Sequence, residues 1–237
     1  VQDYLTAGDC YQINLTQCWQ GELSNQQLVD YLPGLPQSTN APFAGYLGLN
    51  NFELLSCSPE LFFTFDRNGQ GEHTIITKPI KGTRPRGQNV AADQANKNEL
   101  ASSEKDIAEN VMIVDLLRND LGKIATTGGV RVPAPFQVRR FGSVWQMTTA
   151  IEAQAKPHTG AADIFRAAFP CGSITGAPKR MSMQIIDALE TSPRGLYTGS
   201  IGYLKPCPSG LGFEGALNVV IRTLQLKPLS DGLYSGT

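Results

Sequence analysis

The chain has 237 residues, of which 41% are hydrophobic and 17% charged, and its formal net charge is −1. This composition is typical of one large or two small globular domains, and the charge gives no electrostatic reason to expect binding to nucleic acid or an anionic membrane. No apolar run reaches the roughly 20 residues that a membrane helix needs. The cysteines are scattered and lack CxxC spacing, which favours free thiols in a reducing cytoplasm over a zinc site or disulfides. They are Cys10, Cys18, Cys57, Cys171 and Cys207.

The first third of the sequence predicts mainly short strands. Alternating apolar and polar residues over 10–19 predict a half-buried strand, and Ser24 is a candidate N-cap of a helix that ends near Leu32. Asn50-Asn51, between two apolar runs, indicates a hairpin. The strands are predicted at 43–49, 52–57, 61–65 and 74–80, with a turn at 66–69.

Helices are more prominent in the rest of the sequence. Residues 93–121 predict a long helix, with Ser102-Ser103 as the candidate point for a break, and its apolar part, 111–117, is expected to be buried on all sides. The polar residues 88–96 predict a mobile loop. Strands are predicted at 130–132, 144–151, 198–204 and 215–226, and helices at 161–169 and from 179 to 189. Pairs of strands between helices, without regular βαβ alternation, predict an α+β fold with mostly antiparallel sheets.

Lys81 is the first candidate for a chemical role. It follows a predicted strand and precedes Gly82-Thr83, a turn at which another group can approach the backbone closely. A lysine that is removed from water can lose its proton near neutral pH and act as a nucleophile. For an isolated residue, a strand-end lysine beside a basic loop would be the favoured interpretation.

Two glutamates are further candidates. Glu60 lies between a turn and an apolar strand, where a carboxyl group has its pKa raised and suits a general acid; the alternative is a strand-edge glutamate that faces water. Glu109 falls on the same helical arc as apolar residues, so it needs a cation there. That cation could be Mg²⁺, which takes carboxylate oxygens, or one of the side chains of Lys105 and Arg118.

The run 172–179 is rich in glycine and opens a predicted helix. Its backbone N–H groups and the helix dipole suit a carboxylate or a phosphate, but the run lacks the spacing of a nucleotide-binding P-loop. Arg222 lies in the apolar run 219–224, where an arginine usually serves an anion or a buried carboxylate. Tyr203, on another predicted strand, could converge with it.

Seven motifs, in order along the chain, together resemble the chorismate-binding domain. This domain is shared by anthranilate synthase component I, aminodeoxychorismate synthase component I, isochorismate synthases and salicylate synthases. The motifs are Ser58-Pro59-Glu60, Pro79-Ile80-Lys81-Gly82-Thr83, Ala108-Glu109-Asn110, Asp115 to Gly122, Gly172 to Lys179, Gly199 to Tyr203 and Ile221-Arg222-Thr223. The resemblance implies the α+β fold of aminodeoxychorismate synthase, with antiparallel sheets packed between helices.

The branch of the family is indicated by two positions. The lysine at 81 is similar to the aminodeoxychorismate synthase branch, whereas anthranilate synthases typically have alanine there. Isochorismate and salicylate synthases use a lysine at the position of Gln12, and a glutamine cannot act as that base. The alternatives are an anthranilate synthase component I with an atypical loop and a non-catalytic module that has kept the fold.

The resemblance implies a reaction in which chorismate is aminated by ammonia to 4-amino-4-deoxychorismate, a precursor of p-aminobenzoate and folate. Lys81 would attack C2 of the ring while Glu60 protonates the departing C4 hydroxyl, and Glu109 would bind Mg²⁺. The ammonia would come from a glutamine amidotransferase, as a subunit or a fused domain. The substrate would be bound by Gly82, Thr83, Gln146, Thr175, Gly176, Tyr203 and Arg222.

Two departures from the family pattern limit these expectations. Many members have a histidine at the position of Gln146, and a glutamine cannot become cationic. The chain also opens on Val1 and stops in what reads as a strand, so we expect residues 1–237 to be an incomplete chorismate-binding catalytic domain. An N-terminal half and a C-terminal glycine-rich strand and helix with further magnesium-binding glutamates would be missing. The polypeptide alone is therefore expected to bind magnesium poorly and to turn over slowly or not at all.

Overall fold

The computed structural model describes residues 1–35, 39–67, 73–206, 213–229 and 233–236. The helices in this part are α1 (Gln2–Ala7), α2 (Asn25–Tyr31), α3 (Val90–Ser102), α4 (Glu104–Gly122), α5 (Ala161–Ala168), α6 (Gly172–Thr175) and α7 (Lys179–Leu189). The strands are β1 (Gln12–Ile13), β2 (Gly21–Ser24), β3 (Phe43–Leu49), β4 (Phe52–Ser58), β5 (Leu61–Arg67), β6 (His73–Lys78), β7 (Ile80–Pro85), β8 (Ala125–Phe141), β9 (Val144–Ala155), β10 (Gly176–Ala177), β11 (Gly202–Pro206), β12 (Phe213–Asn218), β13 (Thr223–Pro228) and β14 (Leu233–Gly236).

The strands form three sheets. A seven-stranded sheet has the order β11-β12-β5-β6-β9-β7, with β8 paired to β9 as well, and a five-stranded sheet has the order β2-β14-β13-β4-β3. β1 and β10 make a small separate pair. All the pairings between described strands are antiparallel, so the predicted α+β class with antiparallel sheets is confirmed.

The two strands β6 and β7 pair with successive parts of the long strand β9. Thr77 lies opposite Ile151 and Ile80 opposite Thr148, and Pro79 separates the two strands. Proline has no N–H group to donate to a sheet, so it suits such an interruption. This arrangement places Lys81 directly after a break in the sheet.

The main hydrophobic core lies between the seven-stranded sheet and helices α4 and α5. It contains the buried side chains of Phe62, Phe63, Phe65, Ile75, Ile113, Leu117, Leu121, Ile151, Ala153, Ile164 and Ala168. Three of these lie four residues apart on α4 and form one apolar stripe. Val111 on the same helix is 48% exposed, so the prediction that 111–117 is buried on all sides is wrong. The helix covers the sheet with one face only.

Helix ends follow their capping residues. Ser24 accepts a hydrogen bond from the Gln27 N–H in a capping box, as predicted for α2. The predicted break in the long helix is confirmed at Ser103, which caps α4. The loop predicted at 88–96 is wrong, because Asn89 caps α3 and the helix begins at Val90.

Other predicted elements are confirmed in part. The hairpin at Asn50-Asn51 joins β3 and β4, whereas the strand predicted over 10–19 is reduced to β1. The strand predicted over 215–226 is interrupted at 219–222, between β12 and β13. The turn predicted at 66–69 lies partly outside the described residues, as does Cys207. Cys10, Cys18, Cys57 and Cys171 are free thiols, and no described helix is long and apolar enough to cross a membrane.

Candidate active site

Lys81 is the second residue of β7 and is partly buried beside the turn α6. Its Nζ donates a hydrogen bond to the carbonyl oxygen of Ser173 at 3.3 Å. Burial lowers the pKa of Lys81, and the charges of Glu60 and Glu109 offset part of that shift. The structure therefore gives this amine the environment that favours a neutral, nucleophilic form.

Glu60 immediately precedes β5 and is only 4% exposed. Its backbone is held from both sides, since its N–H donates to Ser58 Oγ at 3.2 Å and its carbonyl accepts from the Val219 N–H at 3.1 Å. Burial raises the pKa of Glu60 to about 7, against the opposing effects of the Ser173 side chain and of the charge on Lys81. A carboxyl group that keeps its proton near neutral pH can act as a general acid.

Ser173 is the functional residue that the sequence analysis missed. It lies in α6, and its carbonyl accepts hydrogen bonds from Lys81 Nζ and from Asn14 Nδ2, the second at 3.1 Å. Its hydroxyl lies 3.2 Å from the Cys171 thiol, and burial raises the pKa of that thiol to about 12, so it stays neutral. Ser173 and Lys81 are 92 positions apart, and only the run 172–179 gave a signal for this segment.

Ion pairs and hydrogen bonds fix the C-terminal end of the run 172–179 on α4 and α5. Lys179 pairs with the buried carboxylate of Asp120 and donates to the Ala168 carbonyl at 2.8 Å, and Lys123 contacts the other oxygen of Asp120 at 2.9 Å. Gly176 has φ +146°, and a Cβ there would lie 2.2 Å from the carbonyl oxygen of Gln12. Thus Gly176 is required by the close approach of β1.

The predicted substrate-binding residues on β7 and β9 lie next to Lys81. Gly82 has φ +89°, and a Cβ there would meet Leu100 and Asp106 at 2.8 and 2.9 Å, so packing against α3 and α4 explains this glycine. Thr83 is exposed and lies opposite Gln146, which is 1% exposed. Among the described residues, the buried Gln146 Oε1 has no hydrogen-bond partner.

The remaining predicted residues differ in how close they lie to this site. Thr175 is buried and its hydroxyl donates to the Cys171 carbonyl at 3.1 Å. Tyr203 is 58% exposed on the edge strand β11. Arg222 is exposed, has φ +50° and lines a cavity of about 1110 Å³. Within the described residues, neither Tyr203 nor Arg222 makes a hydrogen bond or ion pair with Lys81 or Glu60, so the structure does not bring these four side chains into contact.

Glu109, the predicted magnesium ligand, lies on α4 with its side chain 32% exposed. Its carboxylate is 3.8 Å from Lys105 Nζ, which is one of the two alternatives considered for it, and its charge acts on Lys81. In the part of the chain that the structure describes, no three His, Cys, Asp or Glu side chains form a metal-binding group. Beside Lys81 the described residues offer two carboxyl groups, the buried Glu60 and the partly exposed Glu109, and Glu109 is the one that could supply an oxygen ligand to a metal ion.

Comparison with known proteins gives concordant matches. The family model for chorismate binding enzymes matches residues 1–237. The chain is 46% identical to aminodeoxychorismate synthase component 1 of Escherichia coli over 87% of its length and 38% identical to that of Bacillus subtilis over 94%. It covers 44% and 45% of those proteins, so it spans less than half of their length. Its structure is similar to anthranilate synthase component I of Streptococcus pneumoniae, with a TM-score of 0.81 and 30% identity, over 100% of this chain and 50% of that one.

Proposed function

We propose that this chain, which belongs to the family of chorismate binding enzymes, carries the nucleophile and the general acid for amination of chorismate to 4-amino-4-deoxychorismate. The observation that carries the proposal is that Lys81 and Glu60 are both desolvated, interact through their charges and both contact Ser173. Burial lowers the pKa of the amine and raises that of the carboxyl group to about 7, so a neutral nucleophile and a protonated acid can coexist. The similarity to aminodeoxychorismate synthases supports the choice of substrate.

The first proposed step is a displacement on the ring. The lone pair of the Lys81 amine forms a bond to C2, the ring double bonds shift, and the C4–O bond breaks. Glu60 gives its proton to the departing hydroxyl group, which leaves as water. The carboxylate so formed can take the proton that the new secondary ammonium must lose.

The second proposed step releases the product. Ammonia forms a bond to C4, the double bonds shift back, and the bond between C2 and the Lys81 nitrogen breaks. The amine recovers a proton from Glu60, and the new ammonium group at C4 loses one that restores the protonated Glu60. One ammonia therefore enters and one water leaves in the complete reaction. Because each step has a positioned group in place of bulk solvent, two moderate barriers replace a large one.

Substrate binding and the metal are assigned to the remaining residues. We expect the two carboxylates of chorismate to be bound by the backbone and side chains of Gly82, Thr83, Gln146, Thr175, Gly176, Tyr203 and Arg222. Of the Gln146 amide, the NH2 group can donate to a substrate carboxylate, whereas the unpartnered Oε1 can only accept, as from a substrate hydroxyl group. Mg²⁺ would neutralise a substrate carboxylate, with Glu109 as one of its ligands. The proposed source of ammonia is a glutamine amidotransferase, as a separate subunit or a fused domain, in the cytoplasm.

The test is product identification with the full-length natural protein that contains this sequence. Chorismate, Mg²⁺ and ammonium are supplied, and products are identified by mass and chromatography. We expect 4-amino-4-deoxychorismate, and a loss on the order of 1000-fold for Lys81→Ala, because no other group can form the covalent bond. Anthranilate with pyruvate as the main product would move the assignment to anthranilate synthase. No product at all would favour a non-catalytic module.

A further inference from the structure

Arg194 and Glu190 form an ion pair that no motif in the sequence indicated. The guanidinium donates to the carboxylate in a forked geometry, with Nε to Oε2 at 2.9 Å and Nη2 to Oε1 at 2.6 Å. The side chains are only 14% and 9% exposed. Such a pair is geometrically specific, because the planar fork of arginine fixes both groups relative to each other.

The same pair joins three segments that are distant in sequence. Arg194 Nη1 donates to the Ile174 carbonyl in α6 at 3.0 Å, and Nη2 donates to the Asn14 carbonyl, next to β1, at 2.7 Å. Glu190 Oε1 accepts from the N–H of Thr16 at 3.0 Å and from its hydroxyl at 3.1 Å. The end of α7 is thereby tied to α6 and to the segment that follows β1.

These contacts converge on the carbonyl that Lys81 uses. Ile174 directly follows Ser173, whose carbonyl oxygen accepts from Lys81 Nζ and from Asn14 Nδ2. The Asn14 N–H also donates to the Thr175 carbonyl at 2.9 Å. Arg194 therefore fixes Ile174, which follows Ser173, and Asn14, whose side chain donates to the Ser173 carbonyl. Ser173 in turn contacts both Lys81 and Glu60.

Arg194 is a positioning group here and not a ligand-binding one. It borders two cavities, of about 490 and 1110 Å³, but its Nε, Nη1 and Nη2 atoms all donate to protein oxygens already. A substrate carboxylate would have to displace Glu190 or a backbone carbonyl. Arg222, which lines the larger cavity, forms no ion pair within the described residues.

We propose that Arg194 and Glu190 are positioning residues for the acid and amine pair, and that they act through Ser173 and Asn14. The inference rests on the proposed function and adds to it two residues that do not touch the substrate. If the pair is loosened, α6 shifts and the Lys81 amine loses its alignment with C2 of the ring. A misplacement of about 1 Å is enough to slow a reaction about 100-fold, so the turnover rate should fall by more than substrate affinity does, although Thr175 of α6 is also proposed to bind substrate.

The experiment compares Arg194→Lys and Glu190→Gln in the full-length natural protein. Arg194→Lys keeps the positive charge and Glu190→Gln keeps the size of the side chain, and each removes the forked ion pair. We expect kcat to fall about 10- to 100-fold, KM to stay within about twofold, and the double variant to lose no more than either single one. The control is Arg166→Lys, which alters an exposed pair with Asp163 on α5 and should leave both constants unchanged.

A second readout does not depend on turnover. The rate of reductive methylation of Lys81 by formaldehyde and cyanoborohydride, followed by mass spectrometry of its peptide, should change at least threefold in Arg194→Lys, with Lys205 as an unaffected internal reference. If the unmodified protein forms no aminodeoxychorismate, the proposed function fails, and the methylation result alone decides the inference. Unchanged methylation would overturn the inference. A lower melting temperature together with a lower kcat and a raised KM would also overturn it, because it would indicate a general loss of structure.

Discussion

The two ends of β7 differ in how their cationic side chains are stabilised. At its beginning, Lys81 faces Glu60 across a desolvated corner, where burial lowers the pKa of the amine and raises that of the carboxyl. At its end, Arg84 forms ion pairs with Glu99 at 2.6 Å and Asp106 at 2.9 Å. Hydrogen bonding to these carboxylates raises the pKa of Arg84 further.

Arg86, the residue after β7, is ion-paired in the same way as Arg84. Arg86 pairs with Asp93 of α3, and the same carboxylate accepts from the Gly87 N–H and the Trp145 indole, both at 2.9 Å. The pKa of Asp93 is lowered, chiefly by its hydrogen bond to Arg86. The comparison teaches that buried groups without an ion pair favour neutral forms and suit chemistry, whereas ion-paired groups hold β7 on α3.

The largest effect should come from placing an arginine, the residue at the end of β7, at position 81 near its beginning. Lys81→Arg puts a permanently charged, non-nucleophilic group beside Glu60. We expect a loss of amination on the order of 1000-fold, because no bond to C2 can form, and a lower pKa of Glu60. Product assays measure the first effect, and pH titration of the carboxyl signal by NMR measures the second. Retained amination would exclude a covalent role for position 81.

Glu60→Gln tests the other partner of this corner. We expect about a 100-fold loss of amination, since an amide cannot donate the proton that the leaving hydroxyl needs. The control is Glu53→Gln, at a half-buried position in β4 where the carboxylate accepts from the Tyr46 hydroxyl at 3.0 Å. Undiminished amination by Glu60→Gln at any pH would show that another group is the acid.

The same variant should change how stability depends on pH. The folded-state pKa of Glu60, about 7, lies above its ordinary value of 4.5, so its contribution is present below about pH 4.5 and is lost as the pH rises through 7. The loss is at most about 3 kcal/mol. Denaturant unfolding between about pH 5 and 7 should show this decline in the unmodified chain and not in Glu60→Gln.

Gly82→Ala tests the geometry between the two ends. The new Cβ would clash with Leu100 and Asp106 and would require φ +89°, so we expect a destabilisation of about 2 kcal/mol. Gly122→Ala is the matched control, because no heavy atom lies within 4 Å of its Cβ position. Unfolding curves in urea would measure both. Equal stability of the two variants would contradict the packing described for Gly82.

The smallest effect is expected at the far end of β7. Asp93→Asn weakens the contacts to Arg86 and to the Trp145 indole, and we expect a modest fall in melting temperature with amination unchanged. The control, Asp163→Asn, alters an exposed pair and should have no effect. A loss of amination as large as that of Glu60→Gln would mean that the two ends of β7 are not independent.

Local sequence predicted what depends on local chemistry. The caps at Ser24 and Ser103 and the hairpin at Asn50-Asn51 follow from neighbouring residues. The roles of Glu60 and Lys81 depend on the resemblance of all seven motifs and stay predictions. The exposure of Val111 was missed because the apolar composition of α4 does not tell how many of its faces are covered. Similarly, the strand predicted over 215–226 breaks where Arg222 adopts φ +50°, which no residue in that run indicates.

The rest of the site depends on contacts between distant segments. Ser173 reaches Lys81 across 92 positions, and Arg194 reaches Asn14 across 180. Periodicity and spacing carry no information on such pairs, because they arise only when β1, α6 and α7 pack together. The roles of Thr83, Thr175, Tyr203 and Arg222 in binding substrate stay predictions.

The pairing of β2 with β14 has a consequence for how the chain acquires its structure. Ser24 lies opposite Leu233, so β2 cannot make its pairing with β14 until residues 233–236 have been synthesised. Until then, its free edge can pair with any extended segment nearby, and closing so long a loop is slow. The five-stranded sheet should therefore form after the hairpin β3–β4, and nascent chains should need protection from aggregation during that interval.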